Sequence, residues 1–184
     1  MKDISFTTSE HQIPVNVVFG KRVRLKIQLD DDGRVFAFAP MRTRIPDIER
    51  FVEANYEWIF AQQKKLSTKI RLPCVDEVEQ RRRSRIIKTI VREWLTHYDG
   101  KKPQSIFVRN MTSRWGSCSS KGNISLNVHL LDVEPELFEY FLIHELSHLY
   151  HMNHSKDFWN QVSKYCPDYK VKRQMLRKYI ISKA

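Results

Sequence analysis

Hydrophobic and polar residues alternate through residues 15–39, with Val23, Leu25, Ile27 and Leu29 on one face and Arg22, Arg24, Lys26 and Gln28 on the other. That is the period of a strand with one buried side, and Asp31-Asp32-Gly33 ahead of Val35, Phe36 and Phe38 supplies a turn. A β-hairpin with a buried and a basic face is therefore expected, ending at Pro40. The period then lengthens. Over residues 46–65, Ile48, Phe51, Val52, Tyr56, Ile59 and Phe60 recur at helical spacing behind Asp47 and Glu49, which predicts one helix with an aromatic core face. Residues 66–75, with Pro73, read as a linker.

A second helical stripe spans residues 76–98: Val78, Ile86, Ile87, Ile90, Val91, Trp94 and Tyr98. Two short strands follow at 105–108 and 124–128, joined through residues 111–118 and a turn at Lys121-Gly122-Asn123. Pro135, between Glu134 and Glu136, suits the first turn of a helix whose apolar positions are Leu137, Phe138, Phe141, Leu142 and Leu149. Ser155 is placed to cap a further helix anchored by Phe158, Trp159 and Val162. A last helix from Asp168 is expected to turn Val171, Met175, Leu176, Tyr179 and Ile180 inward. The elements add up to an α+β chain: an N-terminal hairpin-and-helix region over 1–70 and a core over 75–184, packed as one unit. No internal repeat is present.

The chemistry concentrates in His144-Glu145-Leu146-Ser147-His148. Residues four apart share a helix face, so His144 and His148 can aim imidazoles at one metal ion, while Glu145 lies beside the ion, where a general base is needed. Zinc suits these ligands, and a catalytic zinc site needs a third one. No glutamate follows Glu145, which removes the pattern that draws the third ligand from a later acid. His154 is the favoured third ligand if the helix ends and the chain doubles back, a turn that Asn153 could make in the left-handed region; His151 is its competitor, though a turn too far along a continuous helix.

Composition narrows the setting. Hydrophobic residues at 41%, with four tryptophans and ten phenylalanines, predict a folded globular protein. The start lacks a secretory signal pattern, no apolar run is long enough to cross a bilayer, and Cys74, Cys118 and Cys166 are odd in number and dispersed. A cytoplasmic protein with reduced thiols is expected. The net charge of +11 favours polyanionic partners, with Arg81-Arg82-Arg83 and Arg85 either a solvated helix face or a phosphate-contacting patch. Charge sets no oligomeric state.

The series Arg114-Trp115-Gly116-Ser117-Cys118, Gly122, Leu126-Asn127, His144-Glu145-Leu146-x-His148-Leu149, Asn153-His154-Ser155 and Phe158-Trp159 resembles the YgjP-like family of zinc-dependent hydrolases, which is similar in its metal helix to WLM and SprT-type metalloproteases. The resemblance implies a compact zincin-like fold, with a small twisted sheet over a backing helix and the HExxH helix below. It assigns the metal to His144, His148 and His154 and the base to Glu145. Where metzincins have glycine ahead of the third histidine, this chain has His151, leaving the turn to Asn153.

A zinc metallopeptidase acting on polypeptides is the expected function. Its substrate would pair with an edge strand, expected at residues 124–128, and its oxyanion would meet Tyr165, Tyr169, Arg114 or Asn127. The resemblance also brings a different substrate class, because members of the family have been assigned nucleoside triphosphate pyrophosphatase activity on UTP. For that activity Arg114, Arg81 to Arg83 and the C-terminal lysines are the candidate phosphate contacts. DNA-directed proteolysis, and a non-enzymatic nucleic-acid-binding domain with structural zinc, are further expectations from the same features.

Overall fold

The computed structural model describes residues 3–181, and the chain divides into two units, residues 1–69 and 70–184.

In the first unit, β1 (Asp3–Thr7), β2 (Pro14–Gly20), β3 (Lys26–Leu29) and β4 (Val35–Pro40) form one sheet in the order β1-β2-β4-β3. The expected hairpin is the antiparallel pair β3/β4. Its turn is closed by Asp30, whose Oδ1 accepts from the amides of Asp32 and Arg34 at 2.9 Å each, with Gly33 at φ 77°. The pattern did not show that Val15, Val17 and Phe19 belong to a separate strand, β2, running parallel to β4. Two helices follow, α1 (Ile45–Glu53) and α2 (Tyr56–Ser67), where the sequence predicted one. Asn55 breaks them apart: its side-chain amide donates to the Phe51 carbonyl at 2.7 Å, offering the backbone an alternative to the next helical turn. Ile48, Val52 and Ile59 are buried against the sheet, but Phe60 and Trp58 are exposed, so the aromatic core face is only partly a core.

The second unit begins with β5 (Ile70–Arg71), in the stretch expected to be a linker. It pairs in parallel with β9 (Tyr179–Ile180), and Leu72 and Val75 are buried. Helix α3 (Glu77–Thr96) is capped by Asp76, whose carboxylate accepts from the Glu79 amide at 2.8 Å. Ile87, Val91 and, just beyond it, Tyr98 point into the core, whereas Val78 is exposed.

Strands β6 (Ser105–Arg109), β7 (Gly116–Cys118) and β8 (Asn123–Asn127) form a sheet in the order β6-β8-β7, with β6 parallel and β7 antiparallel to β8. Strand β8, expected at an edge, is therefore central, and an unforeseen hairpin places β7 at the edge. The hairpin turns on Gly122, φ 75°, whose amide donates to the Ser119 carbonyl at 2.9 Å.

After β8 a short 3-10 helix (Val128–Leu131) leads to α4 (Pro135–Ser147), then α5 (Lys156–Tyr165) and α6 (Tyr169–Leu176). Tyr179 and Ile180 reach the interior from β9 rather than from the last helix, and Val171 is exposed.

Helix α4 lies in the middle of the unit: Leu137, Leu142 and Leu146 join Ile124 and Leu126 of β8, Ile87 and Val91 of α3 and Phe158 of α5 in one core. The small sheet, the backing helix α3 and the histidine-bearing helix α4 thus form the expected α+β core. One close approach is at Gly116, where a Cβ would lie 2.4 Å from the Ser125 carbonyl and 2.7 Å from Phe141 of α4. Gly116→Ala is expected to lower stability by about 1–3 kcal/mol in urea unfolding, because backbone and a packed ring must both give way.

Candidate metal centre

Helix α4 starts with Pro135 at its first turn and carries His144 and Glu145 into the core on its last one. It ends at Ser147, earlier than a helix running toward Asn153. His148 is the C-cap, and the amides of His148, Leu149 and Tyr150 reach back three residues to Glu145, Leu146 and Ser147. Tightening the last turn in this way swings the following chain around. Asn153 does not adopt the left-handed conformation expected of it: among the described residues only Gln12 has a positive φ without being glycine. The turn is held instead by the His151 carbonyl, which accepts from His148 Nδ1 at 3.0 Å.

That hydrogen bond also sets the chemistry of His148. A carbonyl only accepts, so Nδ1 carries the proton and the Nε2 lone pair is left for a ligand. His151, the competitor for third ligand, thus contributes its backbone here, and the ring that converges is His154. His154 Nε2 lies 3.2 Å from His144 Nε2, and one nitrogen from each of His144, His148 and His154 falls within 4.8 Å of the others. Two nitrogens bound tetrahedrally to zinc at about 2.0–2.1 Å would be about 3.3 Å apart, so the observed spacing fits an ion of that size. Ser155 fixes His154 from the other side by capping α5 through the Phe158 amide at 3.4 Å.

Phe158, fully buried, is the floor: its ring centroid is 4.9 Å from that of His144, 4.5 Å from His148 and 4.7 Å from His154. Trp159 flanks His154 at 5.6 Å, stacks on Tyr169 at 5.0 Å and carries the Arg173 guanidinium 4.8 Å above its ring. The electrostatics follow from this apolar lining. Burial pushes His144 down to about 3, helped by the neighbouring histidines and Arg173, and lowers His148 and His154 as well. All three imidazoles are neutral at pH 7, the form that binds a metal. Burial alone pushes Glu145 up to about 8. Glu145 Oε2 and His144 Nδ1 are buried without a hydrogen-bond partner, and the ring nitrogen of His144 that faces His154 is the other one, Nε2.

Of the expected oxyanion donors, two are committed elsewhere. Asn127 is fully buried, donating to the carbonyls of Met111 at 2.7 Å and Arg114 at 2.8 Å, and Tyr165 donates to Asp99 at 2.6 Å. Arg114 is exposed in the loop before β7, and Tyr169 lies against Trp159. Two residues near the centre were not among the candidate site residues of the sequence. Cys118, on the inner face of β7, is close enough to Glu145 for that carboxylate's charge, after burial, to raise its thiol. Arg173 lay on the outward side of a helix pattern and reaches the histidines only because α6 packs on α4. No helix among the described residues is long and apolar enough to cross a membrane, and Cys118 and Cys166 are free thiols.

Residues 67–179 match the family described as the YgjP-like metallopeptidase domain. Among solved structures, the chain is similar to the metallopeptidase zymogen abylysin of Pyrococcus abyssi, at 26% identity over 50% of this chain and 90% of that one, with a TM-score of 0.40. It is also similar to the metallopeptidase zymogen jannalysin of Methanocaldococcus jannaschii, at 27% identity over 48% and 94%, with a TM-score of 0.38. No curated protein matches.

The opposed shifts predict how the metal-free protein responds to pH. Depressed histidines bind fewer protons folded than unfolded, so their share of the stability is lost as pH falls below 6.5. Glu145 is raised from 4.5 to about 8, so it binds more protons folded, and its share is lost as pH rises through 8. Between pH 6.5 and 8 only the carboxyl acts, and the unfolding free energy should fall by up to about 1.4 kcal/mol per pH unit. Denaturant unfolding across that window should show the slope in the wild type and its absence in Glu145→Gln.

Proposed function

The chain belongs to the YgjP-like metallopeptidase family, and from that premise we propose that it is a zinc-dependent peptidase in which His144, His148 and His154 hold the ion and Glu145 carries the proton. The observation that carries the proposal is the convergence of three neutral imidazole nitrogens on a helix end that also buries the unpartnered carboxyl of Glu145, next in sequence to His144. An all-nitrogen set with no carboxylate in it favours zinc over magnesium or calcium. Three protein ligands rather than four leave a position open, as a catalytic site requires. Bound there, zinc supplies Lewis-acid activation of a substrate carbonyl and of water.

The chain's own residues do the rest. His148 keeps its tautomer through the His151 carbonyl, and Phe158 holds all three rings in place. Beside a cation held by the histidines, the ionised form of Glu145, buried next to the first ligand, would be favoured, and its free oxygen could then take a proton from the attacking water and return it to the leaving amine. The apolar walls exclude bulk water and strengthen each of these interactions. For the substrate, support comes from β7. The Asn127 amide bonds the Trp115 carbonyl and the Ser119 amide bonds the Asn123 carbonyl, so the alternate residues Gly116 and Cys118 turn their backbone groups to the open edge. An extended peptide can pair there, and this edge takes the role expected for residues 124–128.

The nucleotide alternative finds support in one observation, the Arg173 cation poised over Trp159 beside two of the imidazoles. Of the phosphate contacts expected for it, Arg81 to Arg83 are paired with carboxylates, Lys178 is exposed, and Lys183 lies outside the described residues. A cytoplasmic location belongs to the same proposal, on the strength of the free thiols of Cys118 and Cys166.

Metal analysis with unfolded protein and UTP as parallel substrates decides the matter. We expect zinc near one per chain and peptide cleavage that drops at least about 100-fold in Glu145→Gln while zinc is retained. Glu145-dependent release of pyrophosphate from UTP, without peptide cleavage, would reverse the choice of substrate. Phe158→Ala should leave the ligands present but loosen them, weakening zinc affinity about 10-fold or more in chelator competition.

A further inference from the structure

Three of the four arginines clustered by the sequence are already neutralised: Arg81 pairs with Glu77 at 3.2 Å, Arg82 with Glu79 at 3.1 Å, and Arg83 with Glu79 at 2.9 Å and Asp132 at 2.6 Å. Among the arginines with no carboxylate partner among the described residues are Arg109, at the end of β6, and Arg114, in the loop before β7. Both line an open pocket of about 490 Å³, together with the hydroxyls of Thr112, Ser113, Ser117 and Ser125.

Strand alternation fixes which side of the sheet this pocket occupies. Ile124 and Leu126 of β8 are buried in the core with α4, and Gly116 faces Phe141. Ser125 and Ser117, paired in register, therefore point away from α4 and the metal centre. Phe107 of β6 pairs in register with Ser125 on that outer face and is 43% exposed, with the Arg109 guanidinium 5.6 Å from its ring centroid. An exposed aromatic ring thus adjoins a hydroxyl-lined recess flanked by two unpaired guanidiniums.

The recess is held in shape from behind. Asn127, fully buried at the end of β8, clamps the carbonyls of Met111 and Arg114, and Asn110 Nδ2 donates to the Val75 carbonyl at 3.0 Å. Little ordering is left for a ligand to impose.

We propose that this face binds single-stranded nucleic acid, with a backbone phosphate between Arg109 and Arg114 and a base stacked on Phe107. Unpaired guanidiniums with hydroxyl donors and no carboxylate in the lining match a phosphate diester, and an exposed ring beside them matches an unstacked base, which a duplex does not offer. The net charge of +11 draws such a strand to the surface without choosing the place; the pocket chooses it. The assignment does not depend on the hydrolase proposed above, because its site lies across the sheet.

Fluorescence anisotropy with a labelled ten-nucleotide single strand and the full chain tests it. Arg109→Ala and Arg114→Ala should each weaken binding and reduce the slope of log affinity against log salt by about 0.7, one phosphate contact each. Phe107→Ala should weaken it about 5-fold or more through loss of stacking. Arg81→Ala removes the same charge from a residue paired with Glu77, and affinity should stay within about twofold of wild type. Equal weakening by Arg81→Ala would mean diffuse attraction and would overturn the proposal. So would preference for a duplex, equal affinity for a mononucleotide, or absence of binding in low salt.

Discussion

The second unit depends on one unfavourable arrangement, the burial of a carboxyl oxygen and an imidazole nitrogen without hydrogen-bond partners. An unsatisfied buried polar group costs about 1–3 kcal/mol, more if charged, and the surrounding core has to absorb that. It does so with apolar packing on nearly every side of α4, from β8, α3, α5 and α6. The same packing that tolerates the polar groups also tunes them: it keeps the imidazoles neutral and holds the carboxyl at a pKa of about 8. Structure and chemistry are therefore not separable here. A looser core would relieve the strain and return Glu145 and the histidines to ordinary solution behaviour.

The three-stranded sheet separates two environments with one residue alternation. Ile124, Leu126 and Gly116 face the core, while Ser125 and Ser117 face outward. Asn127 stands at the junction. Its buried amide holds the loop that carries Arg114, and its Oδ1 accepts from the His129 amide at 3.2 Å, at the start of the turn leading to α4. One buried polar side chain thus supports the outer loop and the entry to the histidine-bearing helix, with all its hydrogen-bonding capacity used for positioning.

Much of this was legible in residues. The His144–His148 spacing and Glu145 are local, because helical periodicity alone places them, and Ser155 capping α5 is a local rule as well. The hairpin turn around Gly33 followed from turn chemistry. What failed was mostly a matter of partners. Strand β7 is three small residues with no alternation to detect, so the pattern alone leaves β8 at an edge. Tyr179 and Ile180 continue the helical stripe in sequence, yet they pair with β5 because an extended segment was available there. Asn153 is a good candidate for a left-handed turn, but the chain turned through tightened helical hydrogen bonds one turn earlier.

The sequence by itself determined the pairing of His144 with His148 on one helix face, Glu145 beside them in order, and most of the helices, since these depend on side-chain chemistry and on a period of 3.6 residues. Only the tertiary structure decided that His154 and not the His151 ring converges on His144, that Cys118 and Arg173 stand near the site, and that Arg109 and Arg114 line one pocket. The physical reason is common to all of them. Proximity between residues far apart in the chain follows from how faces pack and strands pair, and local composition carries little of that information.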